Sequence, residues 1–214
     1  MKCDKETMLL YAVTDRTWTK EKTLFQQVEE ALEGGVTCVQ LREKELAKET
    51  FLLEAIEMKV ICEKYHVPLI INDNVEIALR CDADGIHVGQ KDMSAEDVRA
   101  KIGDEKILGV SVQTVEQAIL AEKNGADYLG VGAVFSTSTK LDANAVSYGT
   151  LKDICKSVKI PVVAIGGIHE GNILELKGSG VDGVALVSAI FGSKHIKEQC
   201  RQLKKLSQEM VSYK

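Results

Sequence analysis

A run of hydroxyl side chains, a cation and a carboxylate follows one apolar segment of this 214-residue chain. The run is Phe135-Ser136-Thr137-Ser138-Thr139-Lys140-Leu141-Asp142, and it comes directly after the strand-like segment from Tyr128 to Val134. Hydroxyl groups donate hydrogen bonds to phosphate oxygens, and a lysine ammonium adds compact positive charge. The run indicates a ligand that carries phosphate. An ordinary polar loop is the alternative.

A second polar run, Gln40-Leu41-Arg42-Glu43-Lys44, follows another short apolar segment. Residues two apart share a face of an extended strand, so Gln40, Arg42 and Lys44 could point together. Two cations on one partly buried face need an anion. That anion could be a ligand, or the cations could form internal salt bridges with Glu43 or Glu45.

Two aspartates, Asp73 and Asp92, follow the next two apolar segments, in Asn72-Asp73-Asn74 and in His87-Val-Gly-Gln-Lys-Asp92. Carboxylates with water and substrate phosphate are typical ligands of Mg2+. The alternative is that both aspartates are N-caps of the helices that follow. We expect His87 to be a packed or loop-orienting histidine rather than a metal ligand.

Three further segments end in small or hydroxyl residues, at Ser111, Gly166-Gly167 and Val187-Ser188. Glycines leave backbone N–H groups open to a phosphate, and the seventh and eighth loops of a (β/α)8 barrel often hold one. Gly167, Val187 and Ser188 predict a monophosphate site, with two tight turns as the alternative.

The elements that must position these residues alternate along the whole chain. Eight short apolar runs start near residues 8, 38, 68, 85, 107, 128, 161 and 183, and most are apolar throughout, as in parallel strands covered on both faces. Helical spacing appears over 24–32, which ends at Gly34-Gly35, and over 51–60, 114–123, 172–177 and 193–212, with a capping box at Thr114 and Gln117. The pattern predicts one (β/α)8 TIM-barrel domain over residues 1–214, with its active site at the C-terminal ends of the strands. The alternative, an open doubly wound sheet, is disfavoured because no G-x-G-x-x-G follows the first strand.

Composition limits the partners. The net charge of −5 gives no general attraction to nucleic acid or to an anionic membrane, and no apolar run approaches the length of a membrane span. The six cysteines form no metal-ligand spacing, and the charged N-terminus is unlike a signal peptide. We expect a cytoplasmic protein with free thiols and small-molecule substrates. A homo-oligomer is compatible with the sequence.

Taken in order, these motifs resemble those of thiamine phosphate synthases over essentially the whole chain. Further motifs that carry the resemblance are Tyr11-Ala-Val-Thr-Asp15, Gly109-Val-Ser111 and Ala164-Ile-Gly-Gly-Ile168. The resemblance implies a barrel that joins hydroxymethylpyrimidine pyrophosphate to thiazole phosphate, or to its carboxylate form, with Mg2+. It implies pyrimidine pyrophosphate contacts from Gln40, Leu41, Arg42, Glu43, Lys44, Asn72, Ser111 and Lys140. It implies Mg2+ ligands at Asp73 and Asp92, and thiazole phosphate contacts from Thr137, Ser138, Thr139, Gly167, Val187 and Ser188.

The implied reaction breaks a C–O bond to pyrophosphate and forms a C–N bond to the thiazole. An aminopyrimidine can delocalise positive charge, so we expect a dissociative, carbocation-like path in which Arg42, Lys44 and Lys140 act catalytically by neutralising the leaving group. No general base is needed, because the attacking nitrogen carries no proton. The sequence departs from the family at Gln113 and Ala133, where His and Pro are frequent, which concerns loop geometry. The alternatives are a thiazole tautomerase of the same fold and a non-catalytic barrel that binds thiamine phosphates.

Overall fold

The chain folds into a closed barrel of eight parallel strands in a computed structural model that describes residues 3–19, 21–136 and 146–212. Each strand pairs with its neighbours in chain order, and the last strand pairs with the first. The strands are β1 Leu10–Val13, β2 Cys38–Leu41, β3 Leu69–Asn72, β4 Gly85–Val88, β5 Ile107–Val112, β6 Tyr128–Gly132, β7 Val162–Ile165 and β8 Gly183–Leu186. The predicted barrel is confirmed.

Helices surround the barrel. They are α1 Leu24–Glu33, α2 Lys48–Lys64, α3 Val75–Arg80, α4 Ala95–Ile102, α5 Val115–Lys123, α6 Tyr148–Ser157, α7 Ser188–Phe191 and α8 Ile196–Val211. The segment predicted as helical over 172–177 forms a single 3-10 turn at Ile173–Leu176. Gly171 precedes this turn and Gly178 follows it with a φ of +74°, which leaves room for one turn only.

The helix termini follow the sequence signals with one exception. Thr23 and Gln26 form both hydrogen bonds of a capping box at the start of α1, and the chain leaves that helix through Gly35, whose φ is +97°. At α5 only half of the predicted box forms. Thr114 Oγ1 accepts from the Gln117 N–H at 3.2 Å, but Gln117 Oε1 accepts from the Gln113 N–H at 2.8 Å.

Two separate apolar regions stabilise the barrel. One lies between the sheet and the helices, and the other fills the barrel interior with Met8, Tyr11, Val13, Cys38, Ile70, Ile107, Tyr128, Val163 and Ala185. Because both faces of each strand are covered, the strands are apolar throughout, as the sequence predicts. Gly109 leaves space for an interior ring: a Cβ at this position would lie 2.1 Å from Tyr128 Cζ.

The cysteines agree with a further expectation. All six cysteines are free thiols, and burial raises the pKa of Cys3, Cys62 and Cys200 to about 12. In the part of the chain that the structure describes, no helix combines the length and apolar character needed to cross a bilayer.

Candidate functional site

The barrel brings the described candidate residues to one edge, because all eight strands are parallel and each candidate lies at or just beyond a strand's C-terminal end. Leu41 and Asn72 are the last residues of β2 and β3, and Ser111 is the fifth residue of β5. Arg42 to Lys44, Asp73, Asp92, Gly167 and Val187-Ser188 all follow strand ends. In a (β/α)8 barrel this edge is where active sites lie.

Arg42 and Lys44 are held loosely by carboxylates. The Arg42 backbone N–H donates to buried Thr14 Oγ1 at 3.0 Å, which fixes the start of the loop after β2. The Arg42 guanidinium lies 3.6 Å from Asp15, and Lys44 Nζ lies 3.6 Å from Asp73. These distances exceed those of a strong charge-assisted hydrogen bond, so both cations can turn to a bound anion.

The alternative in which Arg42 and Lys44 pair with Glu43 or Glu45 is wrong. Glu43 instead accepts from Arg16 Nε at 2.7 Å, and its side chain is only 3% exposed. Its Oε1 atom is buried and has no hydrogen-bond partner among the described residues. An orphaned carboxylate oxygen is costly to bury, so this position suits a donor supplied by water or a ligand.

Leu41 and Gln40 point in opposite directions from β2. The Leu41 side chain is fully buried in the layer between the sheet and the helices, so only its backbone faces the site. The Gln40 side chain lies in the barrel interior, where its Nε2 donates to Tyr11 Oη at 2.7 Å.

Asp73 and Asp92 form a pair of neighbouring carboxyl groups. Burial, followed by the charge of Asp92 and a hydrogen bond with it, raises the pKa of Asp73, while Lys44 acts in the opposite direction. Neither aspartate is an N-cap, because Asn74 and Ser94 cap α3 and α4, so that alternative is wrong. A divalent cation between the two carboxylates would relieve their repulsion.

The backbone fixes the positions of both carboxylates. Asp73 has a left-handed φ of +61°, and its N–H donates to the His87 carbonyl at 2.8 Å. Such a conformation is uncommon outside glycine and is best tolerated by Asn and Asp. Asp92 Oδ2 accepts from the Gly89 N–H at 2.7 Å, which closes the loop after β4. Within the described ranges no cluster of three or more His, Cys, Asp or Glu residues is arranged for a metal, so the two aspartates are not joined by a third such ligand.

A cleft of about 570 Å³ opens beside Asp73. It is lined by the loops after β2, β3 and β4 and by parts of α2 and α3, with Glu43, Lys44, Leu46, Lys48, Phe51, Asn72, Asp73, Asn74, Val75, Glu76 and Met93. Cationic, anionic, amide and apolar groups thus meet in one space of ligand size.

A chain of hydrogen bonds crosses the barrel interior beneath the edge. No role is predicted from the sequence for its two tyrosines, Tyr11 and Tyr128. It begins with the bond from Gln40 to Tyr11, and the Tyr11 hydroxyl lies 2.8 Å from that of Tyr128. Tyr128 Oη lies 2.9 Å from His87 Nδ1, and His87 Nε2 lies 2.8 Å from Ser111 Oγ. His87 is therefore a packed histidine, as predicted. Tyrosines within otherwise apolar strands were the available sequence signal.

The loops after β7 and β8 lie across the barrel from the aspartate pair. Gly167 has a φ of +66°, and a Cβ there would lie 2.4 Å from the Ser136 carbonyl oxygen, so the loops after β6 and β7 approach closely. Val187 precedes the short helix α7, whose first residue is the exposed Ser188. The predicted residues Thr137, Ser138, Thr139 and Lys140 lie outside the described ranges.

The two departures from the family pattern lie at the ends of β5 and β6. Gln113 Nε2 donates to the Gly132 carbonyl at 3.1 Å, and Ala133 is buried. Gln113 thus joins the C-terminal ends of β5 and β6.

Comparisons with known proteins find relatives in sequence and in fold. The sequence profile of the thiamine monophosphate synthase family matches residues 10–190, a range that contains all eight strands. The thiamine-phosphate synthase of Ruminiclostridium cellulolyticum is 55% identical over 91% of this chain and 92% of its own length. That of Clostridium tetani is 52% identical over 91% of this chain and 93% of its own. The structure of thiamine phosphate pyrophosphorylase from Pyrococcus furiosus superposes with a TM-score of 0.89 at 38% identity, covering 97% of this chain and 98% of that one.

Proposed function

The chain belongs to the thiamine monophosphate synthase family, and on that premise we propose that it joins hydroxymethylpyrimidine pyrophosphate to thiazole phosphate, or to its carboxylate form. The products are thiamine phosphate and pyrophosphate, which makes the protein a transferase that forms a C–N bond. The observation that carries the proposal is the division of the barrel edge. Cations and paired carboxylates follow β2 to β4, whereas Gly167 and Ser188 follow β7 and β8.

The pyrimidine pyrophosphate binds, in this proposal, over β2 to β5. Arg42 and Lys44 neutralise the departing pyrophosphate, and their loose 3.6 Å ion pairs with Asp15 and Asp73 support this role. Gln40, Asn72 and Ser111 contact the same substrate from the ends of their strands, as do the Leu41 backbone and Glu43. Lys140 contributes a third cation from the loop after β6. Charges fixed in place before reaction stabilise the charge that develops on the leaving group.

Asp73 and Asp92 fit a Mg2+ ion. They are adjacent, and the pKa of Asp73 is raised by burial and by Asp92, which is the electrostatic situation that a divalent cation relieves. When bound, Mg2+ would supply positive charge to the pyrophosphate. Lys44, which lies 3.6 Å from Asp73, belongs to the same charge cluster.

The proposed reaction needs no general base, and we assign that role neither to the buried thiols nor to His87. The attacking thiazole nitrogen carries no proton, and breaking the C–O bond first leaves a cation that the aminopyrimidine delocalises. Burial raises the pKa of Cys38, Cys62 and Cys200, so these thiols are not nucleophiles at neutral pH. Both ring nitrogens of His87 are hydrogen-bonded within the barrel.

Six free thiols also suit the reducing cytoplasm, where we place the protein.

The thiazole phosphate binds, in this proposal, at the loops after β6, β7 and β8. Gly167 has a left-handed conformation and no side chain, which leaves its backbone open to a ligand. Val187 and Ser188 lead into α7. Thr137, Ser138 and Thr139 would add hydroxyl donors. Holding the thiazole nitrogen in line with the breaking bond supplies proximity, which is worth on the order of 7 kcal/mol in well-oriented models.

Two other functions would use the same barrel. A thiazole tautomerase isomerises its substrate without pyrophosphate, so it has no use for the Arg42, Lys44 and Asp73 cluster. A non-catalytic barrel would bind thiamine phosphates without turnover. The paired carboxylates favour the synthase, because binding a monophosphate does not require them.

The decisive experiment measures pyrophosphate release by the purified protein with both substrates and Mg2+, and with each component omitted in turn. We expect pyrophosphate and thiamine phosphate in equal amounts, and only in the complete mixture. Isomerisation of a thiazole carboxylate phosphate without pyrophosphate release would indicate the tautomerase. Tight binding without any product would indicate the non-catalytic barrel.

We further propose that the protein forms a homodimer through α2. Leu53, Ile56 and Val60 lie on the solvent side of this helix with 68%, 43% and 63% exposure, although their spacing is that of a packed apolar stripe. In an antiparallel pair that sets Leu53 against the partner's Val60, the same register sets Glu49 against the partner's Lys64. Both charged residues are exposed, and each already forms an ion pair within its own chain, Glu49 with Arg80 and Lys64 with Glu29, which it would share with the partner's charge. This complementarity of charge favours a second copy of the chain as the occupant of the stripe.

A further inference from the structure

The hydrogen-bond chain inside the barrel has a direction, and that direction can be worked out from its first member. Gln40 presents its amide nitrogen, which can only donate, to Tyr11 Oη at 2.7 Å. Tyr11 therefore accepts there and keeps its single proton to donate, and we assign that proton to Tyr128, 2.8 Å away. Both phenols are fully buried, and burial raises their pKa values well above the usual range, so each keeps its proton.

The direction of the remaining hydrogen bonds, from Tyr128 to Ser111, follows in the same way. Tyr128 accepts from Tyr11, so its own proton goes to His87 Nδ1 at 2.9 Å. An accepting Nδ1 leaves the ring proton on Nε2, which then donates to Ser111 Oγ at 2.8 Å. Ser111 accepts from His87 and has its own hydroxyl proton left to donate.

We propose that Tyr11, Tyr128 and His87 are positioning residues that make Ser111 a hydrogen-bond donor to the pyrimidine pyrophosphate. His87 acts as a neutral imidazole with its proton on Nε2. This inference rests on the proposed function for the identity of the ligand, whereas the state of His87 does not depend on it. The acceptor is a ring nitrogen or a phosphate oxygen of the substrate.

The surrounding barrel is built to hold this chain. Gly109 leaves the space that the Tyr128 ring occupies, and a Cβ at Gly130 would lie 3.1 Å from His87 Cε1. Tyr11 and Tyr128 pack edge to face with ring centroids 5.8 Å apart. Gln90 Nε2 also donates to the Ser111 carbonyl at 2.8 Å, which fixes the backbone at the last member of the chain. Five side chains on β1, β2, β4, β5 and β6 thereby act as one unit.

The first test determines which ring nitrogen of His87 carries the proton in ligand-free protein. Nitrogen-15 NMR of histidine-labelled protein at neutral pH distinguishes the two tautomers and the imidazolium, and a His87→Asn variant assigns the signal among the four histidines. We expect a single neutral form protonated on Nε2. A proton on Nδ1 would mean that the chain runs in the opposite direction and would overturn the proposal, as would an imidazolium.

The second test breaks the chain in its middle. Tyr128→Phe keeps the ring and removes the hydroxyl that donates to His87, so we expect mixed His87 tautomers. We also expect KM for the pyrimidine pyrophosphate to rise about tenfold, the effect of one hydrogen bond, while KM for the thiazole phosphate stays unchanged. Tyr11→Phe should act in the same way. The matched control is Tyr65→Phe, which removes a hydroxyl that donates to Glu29 on the outside of the barrel.

A double-mutant cycle then tests whether Tyr128 acts through Ser111. If it does, adding Tyr128→Phe to Ser111→Ala produces little further loss in kcat/KM. Losses that multiply would show independent roles and overturn the proposal, as would wild-type kinetics in a folded Tyr128→Phe variant. If wild-type protein shows no synthase activity, the His87 tautomer still tests the direction of the chain, so the two failures are distinguishable.

Discussion

Single residues at the barrel edge combine loose ion pairs with firmly held backbones. Arg42 and Lys44 lie 3.6 Å from their carboxylates, while the Arg42 N–H is fixed on Thr14 and the Asp73 N–H on His87. The side chains can therefore exchange a carboxylate for a phosphate without moving the backbone. A site that is organised in this way loses little free energy in reorganisation when the substrate binds.

Lys140 is the residue whose loss should affect chemistry more than folding. We expect Lys140→Ala to slow kcat at least tenfold, or about 1.4 kcal/mol in the barrier, because the proposed role of this cation is to neutralise the leaving group. Steady-state kinetics with both substrates measure this change. Lys101→Ala, an exposed lysine on α4, is the control and should leave kcat unchanged. Equal rates for the two variants would remove Lys140 from the catalytic group.

Asp73 should determine how much Mg2+ the protein requires. Asp73→Asn tolerates the left-handed backbone at this position but removes one of two adjacent carboxylates. We expect activity to be lost in chelator and restored by Mg2+ in the wild type, with the half-saturating Mg2+ concentration raised about tenfold or more in the variant. Asp104→Asn, in an exposed turn, serves as the control. Full wild-type activity in excess chelator would contradict the metal site.

At the scale of elements, the glycines inside the strands determine which side chains fill the barrel. A Cβ at Gly109 would lie 2.1 Å from Tyr128 Cζ, so Gly109→Ala must displace the ring or the strand. We expect the free energy of unfolding to fall by about 1–3 kcal/mol, measured by denaturant titration. Gly149→Ala is the contrasting variant, because its Cβ meets nothing closer than 3.7 Å and lies in α6, where alanine is preferred. Equal stability of the two variants would show that β5 adjusts freely around the ring.

How far the sequence predicts these elements depends on the range of the interactions involved. Strands such as β4 and β5 begin at the positions predicted for them, because parallel strands covered on both faces are apolar throughout. The edge location of Asp73 and Asp92 follows from the same pattern. The carboxylate partners of Arg42 and Lys44 cannot be predicted in this way, because Asp15 and Asp73 follow other strands.

The interior chain could not be predicted for the same reason. Tyr11 and Tyr128 are 117 positions apart in the sequence, and each is an ordinary aromatic residue in an apolar strand. Only barrel closure brings their hydroxyls together with His87. Local rules were also insufficient at Gln117, whose side chain binds Gln113 rather than completing the box at Thr114. Each alternative satisfies one backbone N–H, that of Thr114 in the box or that of Gln113 as observed, and these donors are adjacent, so the sequence does not distinguish them.

At the scale of the whole molecule, the apolar stripe on α2 should determine the oligomeric state. We expect wild-type protein to sediment at twice 23.4 kDa, and a Leu53→Lys, Val60→Lys variant to sediment as a monomer, because each charge would have to be buried against the partner. Ile119→Lys with Leu120→Lys, at an exposed apolar pair on α5, is the matched control and should remain dimeric.

The antiparallel register of α2 makes a sharper prediction than the mass alone. Glu49→Lys and Lys64→Glu should each weaken the dimer several-fold, because each places like charges opposite one another at both ends of the helix pair. Combining the two substitutions restores opposite charges across the interface, so the double variant should regain most of the wild-type affinity in sedimentation equilibrium. Additive weakening would rule out this register. A wild-type monomer, or a dimer that survives the Leu53 and Val60 substitutions, would rule out α2 as the interface.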